Sequence, residues 1–429
     1  MTVNGRILLL RRWWHDDSTG SDAPLDAILH VDGSNFTPGV REMCCRLNIG
    51  STAFERTAAD LARTAQVELS RETVRQITLT EGRRVLRHQS SGELPTSFTA
   101  ADCMVEKKSD VVVTDRTSTE PSATSETCQE LPNESASTPT ASTPAIEPTS
   151  KVTRMYLGVD GVMVPTITDV EKAKRRDGVV KQRQQRALKD PQTVAALPPL
   201  APRRQGTDGT YKEFKVIVFH SESLEHRHIL LSAARRTEVG ELVKETADRL
   251  SFQSCDEKVA NVDGATWIPD QIENSEVEVD GLGLDFYHLS EHVHAARRAV
   301  FGESSPTGDQ WASEQLHRFK HDGYDGVVPE LMTWRADLRG KKREAATKLV
   351  NYVTDRRAMI QYPEFRAEGW QIGSGPTESR CRTSTRRLKI GGARWDIPNA
   401  EAVAALANLA DSRQWTLYWS YLKPVTQST

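Results

Sequence analysis

The sequence predicts a mixed α/β protein in which an N-terminal helical unit precedes a larger domain of strands and helices. Three observations lead to this fold class. Residues 153–288 alternate apolar strand patterns with amphipathic helix patterns, residues 289–372 show charged helical periodicity, and residues 101–152 are rich in Ser, Thr, Pro and Glu. The last of these segments buries too little apolar surface to offset its ordering entropy, so we expect a disordered linker there.

Composition argues against a membrane-spanning protein and against a zinc-stabilised or disulfide-stabilised one. The 429-residue chain is 37% hydrophobic and 27% charged. It has no apolar run of about eighteen residues and no secretory signal, so we expect it in the cytoplasm. Its six cysteines include no Cys-x-x-Cys pair. The net charge of −3 does not by itself indicate a polyanion partner, because a local basic surface is what attracts phosphate.

The N-terminal unit, residues 1–100, contains two helical patterns separated by a break. The second pattern starts after Ser70, a residue type that commonly caps helices. A helix-turn-helix would place the first turns of this second helix in the DNA major groove, with Arg71, Arg75 and Gln76 as contacting side chains. A three-helix packing unit that contacts no DNA is the alternative.

Two apolar strand patterns of the larger domain each carry an aspartate followed by glycine. They are "MYLGVDGVMVPT", with Asp160, and "KVANVDGATWI", with Asp263. We expect the chain to turn out of the sheet at each Asp-Gly and to leave both carboxylates at its rim. Neighbouring carboxylates repel unless a cation lies between them, and their hard oxygen atoms suit Mg²⁺ or Mn²⁺. An aspartate before glycine is also a common turn residue without further function.

A third acidic residue lies at the head of a basic segment, "GSGPTESRCRTSTRRLKIGGARW". The "GSGP" signal predicts a helix start, which places Glu378 in the first helical turn. The basic side chains that follow would offset the repulsion between acids and DNA and hold phosphates near the metal ions. A solvated basic surface is the alternative, and Trp395 either stacks on a base or packs in the core. The DNA-binding candidates in this segment are Arg380, Arg382, Arg386, Arg387, Lys389, Arg394 and Trp395.

These motifs resemble the ISKra-type insertion-sequence transposases, bacterial DDE transposases with an RNase H-like core that are related to the Mutator-type group. The resemblance rests on "GVDGVMVP", "NVDGATWI", "DFYHLSEHV", the "GSGPTESR" segment and "AEAVAALANLADSRQWTLYW". It implies an RNase H-like mixed sheet split by an all-helical insertion at residues 289–372 and completed by residues 373–429. It also implies a catalytic, metal-binding triad of Asp160, Asp263 and Glu378.

The resemblance implies a transposase that cleaves insertion-sequence ends and joins the 3′-hydroxyl ends to target DNA by two-metal-ion phosphoryl transfer. It further implies a homodimer that holds two DNA ends on the bacterial nucleoid. His288, in an Asp285-x-x-His288 motif, would position a phosphate or the nucleophile, or would only hydrogen-bond Asp285. A nuclease that cuts without joining and a domesticated, non-catalytic DNA-binding protein are the alternatives.

The chain departs from the family pattern near its N-terminus. Where relatives carry a Cys-x-x-Cys pair after a basic aromatic strand, this chain reads "RRWWHDDSTGSDAPLD". The thiolate ligands are absent, so we expect no ribbon-type zinc site in this segment.

Overall fold

The structure, a computed structural model, describes residues 35–108, 149–190 and 197–421, together with Thr2, 14–18, 20–22, Asp26 and Gln192. In the described residues, the strands are β1 Trp14–Asp16, β2 Gly20–Asp22, β3 Met104–Lys108, β4 Thr149–Pro165, β5 Tyr211–Ser221, β6 Arg227–Ser232, β7 Glu257–Val262 and β8 Gly281–Leu284. The α-helices are α1 Pro38–Gly50, α2 Phe54–Ala65, α3 Arg71–Ser90, α4 Asp169–Lys189, α5 Val239–Leu250, α6 Trp267–Asn274, α7 Phe286–Phe301, α8 Pro306–Asp337, α9 Gly340–Thr354, α10 Tyr362–Ala367, α11 Gly375–Thr385, α12 Ile397–Asp411 and α13 Trp415–Tyr421.

A mixed sheet forms the centre of the protein. Its strand order is β6-β5-β4-β7-β8, and β3 pairs with the first residues of β4. The β4–β5 and β5–β6 pairs are antiparallel, whereas the β4–β7 and β7–β8 pairs are parallel. The mixed α/β class and the mixed sheet predicted from the sequence are therefore confirmed.

Helices cover both faces of this sheet, which explains why its strands are apolar on both sides. Leu157 and Val159 of β4 pack in a core with residues of α5 to α9, so the helical insertion shares this core. Val162 and Val164, farther along β4, pack on the opposite face with residues of α12. Each such fully buried side chain contributes about 1.5–3 kcal/mol to stability.

The N-terminal helices α1 to α3 do not form a separate core, although the sequence predicted a unit that ends at residue 100. Leu61 and Val74 pack in one cluster with Leu406 of α12 and Trp419 of α13. Helices α3 and α12 approach closely at Gly82, where an added Cβ would lie 2.0 Å from the Ala402 carbonyl oxygen. The predicted boundary is wrong as a division between cores because the apolar stripe of α3 is covered by C-terminal helices.

The predicted linker, residues 101–152, is too wide at both ends. Strand β3 pairs in antiparallel register with residues 149–153 of β4. The Lys107 ammonium of β3 also lies 2.7 Å from a carboxylate oxygen of Glu257 on β7. The alternation of apolar and polar residues in "MVEKK" is too short to indicate a strand beside the long polar segment that follows it. Residues 109–148, the middle of the predicted linker, lie outside the described residues.

The helical predictions for the larger domain are confirmed, with one addition. The polar, basic segment after β4 forms helix α4, which has no buried residue. The insertion is helical, and its longest helix, α8, is kinked at Gly323 (φ 68°, ψ −161°). No helix within the described ranges is both long enough and apolar enough to span a bilayer.

Candidate active site

Asp160 and Asp263 lie side by side on neighbouring parallel strands. The last residue pair between the parallel strands β4 and β7 is Val159 with Val262. Asp160 and Asp263 are the residues that directly follow this pair. Because side chains alternate along a strand, both aspartates lie on the face opposite to Val159 and Val262. The predicted convergence of these two carboxylates is thus reproduced by the register of the sheet.

The sequence predicted that the chain turns out of the sheet at Asp160, and this prediction is wrong. Strand β4 continues to Pro165, and Asp160 pairs with Val216 of β5. Only the parallel partner β7 ends here, at Val262. Asp160 is therefore at the rim on the β7 side but inside the sheet on the β5 side, because the long β4–β5 pairing continues after β7 has ended.

Hydrogen bonds hold both carboxylates in place. Asp160 Oδ1 accepts a bond from the backbone N–H of Gly161 at 2.5 Å, and its Oδ2 accepts one from the Cys381 thiol at 3.0 Å. Asp263 Oδ1 accepts a bond from the backbone N–H of Ala265 at 2.8 Å. Each aspartate is thus oriented by groups that do not neutralise its charge.

The pKa of the Asp263 carboxyl is raised, first by its burial and then by the negative charge of Asp160. The N–H of Ala265 and the nearby His288 oppose this increase. Burial also raises the pKa of the Cys381 thiol, and the charge of Asp160 raises it further, so Cys381 remains a neutral hydrogen-bond donor. Two neighbouring carboxylates that repel each other are an arrangement that a bound cation would stabilise.

Replacing Asp263 by Asn is expected to raise the melting temperature at neutral pH in EDTA by about 1–3 °C. A carboxyl whose pKa is raised on folding destabilises the folded state as pH rises through that pKa, and the amide removes this cost. The gain should vanish in acid, where both side chains are neutral. Asp337→Asn, an exposed control, should leave the melting temperature unchanged. A lower melting temperature for Asp263→Asn at neutral pH would contradict the electrostatic account.

Three contacts hold helix α11 next to β4 and to the start of α7. A Cβ added at Gly158 would lie 1.8 Å from Thr377 Oγ1, so the helix approaches β4 as closely as a glycine allows. Cys381, one turn later on α11, donates the bond to Asp160. At the start of the helix, the backbone N–H and the hydroxyl of Ser374 both donate to Oδ2 of Asp285.

Asp285 connects the start of α7 to the start of α11. Its side chain is 1% exposed, and its Oδ1 caps α7 by accepting the backbone N–H of Tyr287 at 2.6 Å. The alternative in which His288 only hydrogen-bonds Asp285 is not what the structure shows, because the donors to Asp285 among the described residues are Tyr287 and Ser374. His288 lies in the first turn of α7, with Nδ1 3.5 Å from Glu291.

Replacing Asp285 by Ala is expected to lower the free energy of unfolding by about 1–3 kcal/mol, because it removes a helix cap and leaves Ser374 without its acceptor. Urea unfolding monitored by circular dichroism measures the change. His288→Ala is the matched control and should change the free energy of unfolding by less than about 0.5 kcal/mol. An equal loss in the two variants would show that Asp285 acts through His288 after all.

The third predicted ligand, Glu378, is not part of a close cluster. It lies in the first turn of α11, as predicted, but its side chain is exposed. Across the described residues, no three or more His, Cys, Asp or Glu side chains lie close enough together to hold a metal ion. The structure therefore brings together Asp160, Asp263 and helix α11, but not the carboxylate of Glu378. The donor chemistry of the aspartate pair still fits Mg²⁺ or Mn²⁺, which prefer carboxylate oxygen.

Two of the predicted DNA-binding residues are buried and cannot contact DNA in this arrangement. Arg387 is 5% exposed, and its guanidinium lies over the rings of Phe54 and Trp395. Trp395 is 8% exposed and donates its indole N–H to the carbonyl of Leu388. The prediction for Arg387 is therefore wrong, and of the two alternatives for Trp395 the structure shows core packing, because the "LKIGGARW" segment folds back onto α2 instead of prolonging α11.

The other basic residues after Glu378 remain at the surface. Helix α11 ends at Thr385, so Lys389 and Arg394 lie in the segment that follows the helix. Arg380 lies 3.6 Å from Asp411, and Arg394 lies 2.5 Å from Glu171 on α4. The exposed members of the set are Arg382, Arg386, Lys389 and Arg394.

The residues of α3 that were predicted to contact DNA differ in whether their side chains are paired within the protein. Arg71 and Gln76 are exposed. The guanidinium of Arg75 donates two hydrogen bonds to Glu72, at 2.9 and 2.5 Å, which neutralises much of its charge locally. A role of these residues at DNA stays a prediction.

One buried charged group of the central sheet could not be recognised from the sequence patterns used above. Lys215 of β5 is 2% exposed, lies 2.5 Å from Glu213, and has its ammonium 4.8 Å from the centre of the Trp267 ring. Burial lowers the pKa of Lys215, while Glu213 opposes that decrease. Lys215 pairs in register with Gly161, the neighbour of Asp160. A lysine at a core-facing position of an alternating apolar strand was the signal that could have identified it.

Comparisons with known proteins do not identify a family for this chain. No model of a protein family matches the sequence, and no curated protein sequence matches it either. The functional interpretation therefore depends on the geometry of the described residues and on the motif resemblance.

Proposed function

We propose that the protein is a DNA transposase that cleaves insertion-sequence ends and transfers their 3′-hydroxyl ends to target DNA. The observation that carries the proposal is that Asp160 and Asp263 directly follow the last paired residues, Val159 and Val262, of the parallel strands β4 and β7. Helix α11 is held beside them by the bond from Cys381 to Asp160. Paired carboxylates at a sheet rim, next to exposed basic residues, suit phosphoryl transfer on a polyanion.

The sheet supports an RNase H-like core. Its order, β6-β5-β4-β7-β8, joins an antiparallel half, β4 to β6, to a parallel half, β4, β7 and β8. This arrangement is the one expected from the resemblance to DDE transposases. The first aspartate lies on the central strand, the second on its parallel neighbour, and the glutamate on a later helix, as the order of the motifs requires.

In this proposal, three groups of residues would bind metal ions, orient the carboxylates and bind DNA. Asp160, Asp263 and Glu378 would hold the divalent ions, which when bound stabilise charge on the attacking and leaving oxygens at phosphorus. Gly161 and Ala265 orient the aspartates through their backbone N–H groups. The basic residues of this segment that remain at the surface would hold the DNA backbone, namely Arg380, Arg382, Arg386, Lys389 and Arg394.

Further parts of the proposal concern the ends of the DNA and the assembly. Arg71 and Gln76, exposed at the start of α3, would contact the terminal repeats in a helix-turn-helix arrangement. His288 would position a phosphate, since it is near enough to Asp263 to oppose part of the increase in the pKa of that carboxyl. A homodimer that pairs two ends on the bacterial nucleoid completes the proposal.

A strand-transfer assay tests this function against its alternatives. Purified protein is incubated with Mg²⁺, a supercoiled plasmid and a duplex that carries the repeats flanking the gene. We expect nicking at the repeat and covalent joining of its 3′ end to the plasmid. Cleavage without joining would instead indicate a nuclease. Binding of the duplex without any nicking, equal with and without divalent ions, would indicate a non-catalytic DNA-binding protein.

A further inference from the structure

Helix α4 is an arm with one basic face that nothing in the described residues covers. It begins four residues after β4, the strand of Asp160, and runs for 21 residues without a buried side chain. At about 1.5 Å per residue its length is roughly 30 Å, close to one turn of duplex DNA. A helix with no apolar face to bury owes its position to polar contacts.

One face of the arm is held by the returning segment, residues 197–206. Lys172 donates to the carbonyl of Gln205 at 2.7 Å, Arg176 to that of Ala201 at 2.5 Å, and Arg183 to that of Pro198 at 2.8 Å. These three side chains recur at positions 172, 176 and 183, which is helical spacing along one face. They are used for anchoring and are turned toward the segment.

The opposite face carries the exposed basic residues. At about 100° per residue, five exposed basic side chains fall within an arc of roughly 140°, and Gln182 and Gln185 lie in the same arc. Two of the three acidic residues of α4 are paired, Asp169 with Arg203 and Glu171 with Arg175 and Arg394, whereas Asp177 is exposed and lies outside this arc. The five residues of this basic face are Lys174, Arg175, Lys181, Arg186 and Lys189.

The base of the arm is joined to the segment that follows helix α11. Glu171 forms its ion pair with Arg394 at 2.5 Å, and Lys172 pairs with Asp396. The backbone also connects the two regions, because the N–H of Ile167 donates to the carbonyl of Trp395 at 3.0 Å. The arm therefore projects from the part of the protein that carries both Asp160 and Glu378.

We propose that the basic face of α4 binds the phosphate backbone of double-stranded DNA and so extends the substrate-binding surface beyond the carboxylate site. This inference builds on the proposed function and adds to it a binding element. Duplex DNA is the favoured occupant because five basic side chains spread over roughly 22 Å of one helix face can contact several phosphates, and Gln side chains add hydrogen-bond donors. An acidic polypeptide is the alternative that the experiment must exclude.

The test compares two variants with equal losses of charge. In the arm variant, Lys174, Arg175, Lys181, Arg186 and Lys189 are all replaced by Gln. In the control variant, five exposed basic residues at the start of and along α9 are replaced by Gln, namely Arg339, Lys341, Lys342, Arg343 and Lys348. Each set contains three lysines and two arginines, so bulk charge changes equally.

Binding of each full-length protein to a fluorescent duplex of about 30 base pairs is measured by anisotropy in EDTA over a series of NaCl concentrations. We expect the slope of log K against log[NaCl] to become shallower by about 3–5 in the arm variant and by less than about 1 in the control, since each phosphate contact contributes about 0.9. The melting temperatures of both variants should equal that of the wild type, because none of the substituted side chains is buried.

Three outcomes would overturn the inference. One is an unchanged slope in the arm variant, and another is an equal change in the control, which would indicate bulk charge alone. The third is binding of poly-L-glutamate that is as tight as binding of the duplex and is weakened by the same five substitutions. Because the assay contains no divalent ion, it is independent of cleavage. An arm that binds DNA in a protein that never cleaves would reject only the proposed function, whereas cleavage with an unchanged arm slope would reject only the arm.

Discussion

Replacing Asp160 by Asn is expected to reduce Mg²⁺-dependent cleavage of an end-containing duplex by about 10³-fold or more. Removing one carboxylate of the pair takes away a metal ligand, and metal ions supply several kcal/mol of stabilisation to the charge that develops at phosphorus. The amide oxygen of Asn can still accept the N–H of Gly161, so the strand should keep its conformation. The same loss is expected for Asp263→Asn and Glu378→Gln, measured as initial rates on radiolabelled duplex.

Matched controls separate this chemistry from a general loss of negative charge. Asp337→Asn and Glu344→Gln change exposed acids of the helical insertion and should cleave at the wild-type rate. All three active-site variants should still bind the duplex in EDTA. Undiminished cleavage in any one of them would remove that residue from the mechanism. Glu378→Gln is the most informative, because Glu378 is exposed and lies apart from the aspartate pair.

Replacing Gly158 by Ala is expected to lower the free energy of unfolding by about 1–3 kcal/mol and to reduce cleavage as well. The added methyl group would lie 1.8 Å from Thr377 Oγ1 and 2.9 Å from its Cβ, so helix α11 must move away from β4. That movement would also separate Cys381 from Asp160, whose hydrogen bond is 3.0 Å long. Urea unfolding and the cleavage rate measure the two effects.

Gly178→Ala serves as the control because it adds the same methyl group to a glycine with no neighbouring atom within 4 Å. It should be neutral or stabilising by up to about 1 kcal/mol, as alanine favours the helix. Thr377→Ala in the Gly158→Ala background should restore part of both losses, since it removes the atom in closest contact. If Gly158→Ala proved as stable and active as the wild type, α11 would not be held against β4 as described.

The aspartate pair could be predicted from sequence because two local signals coincide. Each apolar strand pattern ends near an Asp-Gly, and strands of that kind pair at the centre of a sheet. The prediction that the chain turns at Asp160 was wrong, because strand length depends on the partner: β5 pairs with β4 up to Pro165, whereas β7 ends at Val262. Sequence patterns indicate a strand but not how far each neighbour follows it.

The errors in the basic segment have a different cause. Arg387 was predicted to bind DNA, and base stacking was one of two alternatives for Trp395, because basic and aromatic side chains are common at DNA interfaces. In the structure, Phe54 of α2, more than 300 positions earlier in the chain, lies beneath both of them. The same long-range packing of α3 on α12 removes the predicted domain boundary. Contacts between distant helices leave no periodic signal in the sequence, so neither could be predicted.

The central claim is that Asp160, Asp263 and Glu378 together bind divalent metal ions. A crystal structure of the protein grown with Mn²⁺ and an uncleaved DNA end, analysed by anomalous scattering, tests it most directly. The account predicts an anomalous peak with carboxylate oxygens of all three residues at about 2.0–2.3 Å, which requires the exposed Glu378 side chain to turn toward the aspartate pair. A peak held by other residues, or Asp160 and Asp263 without any bound ion, would contradict it.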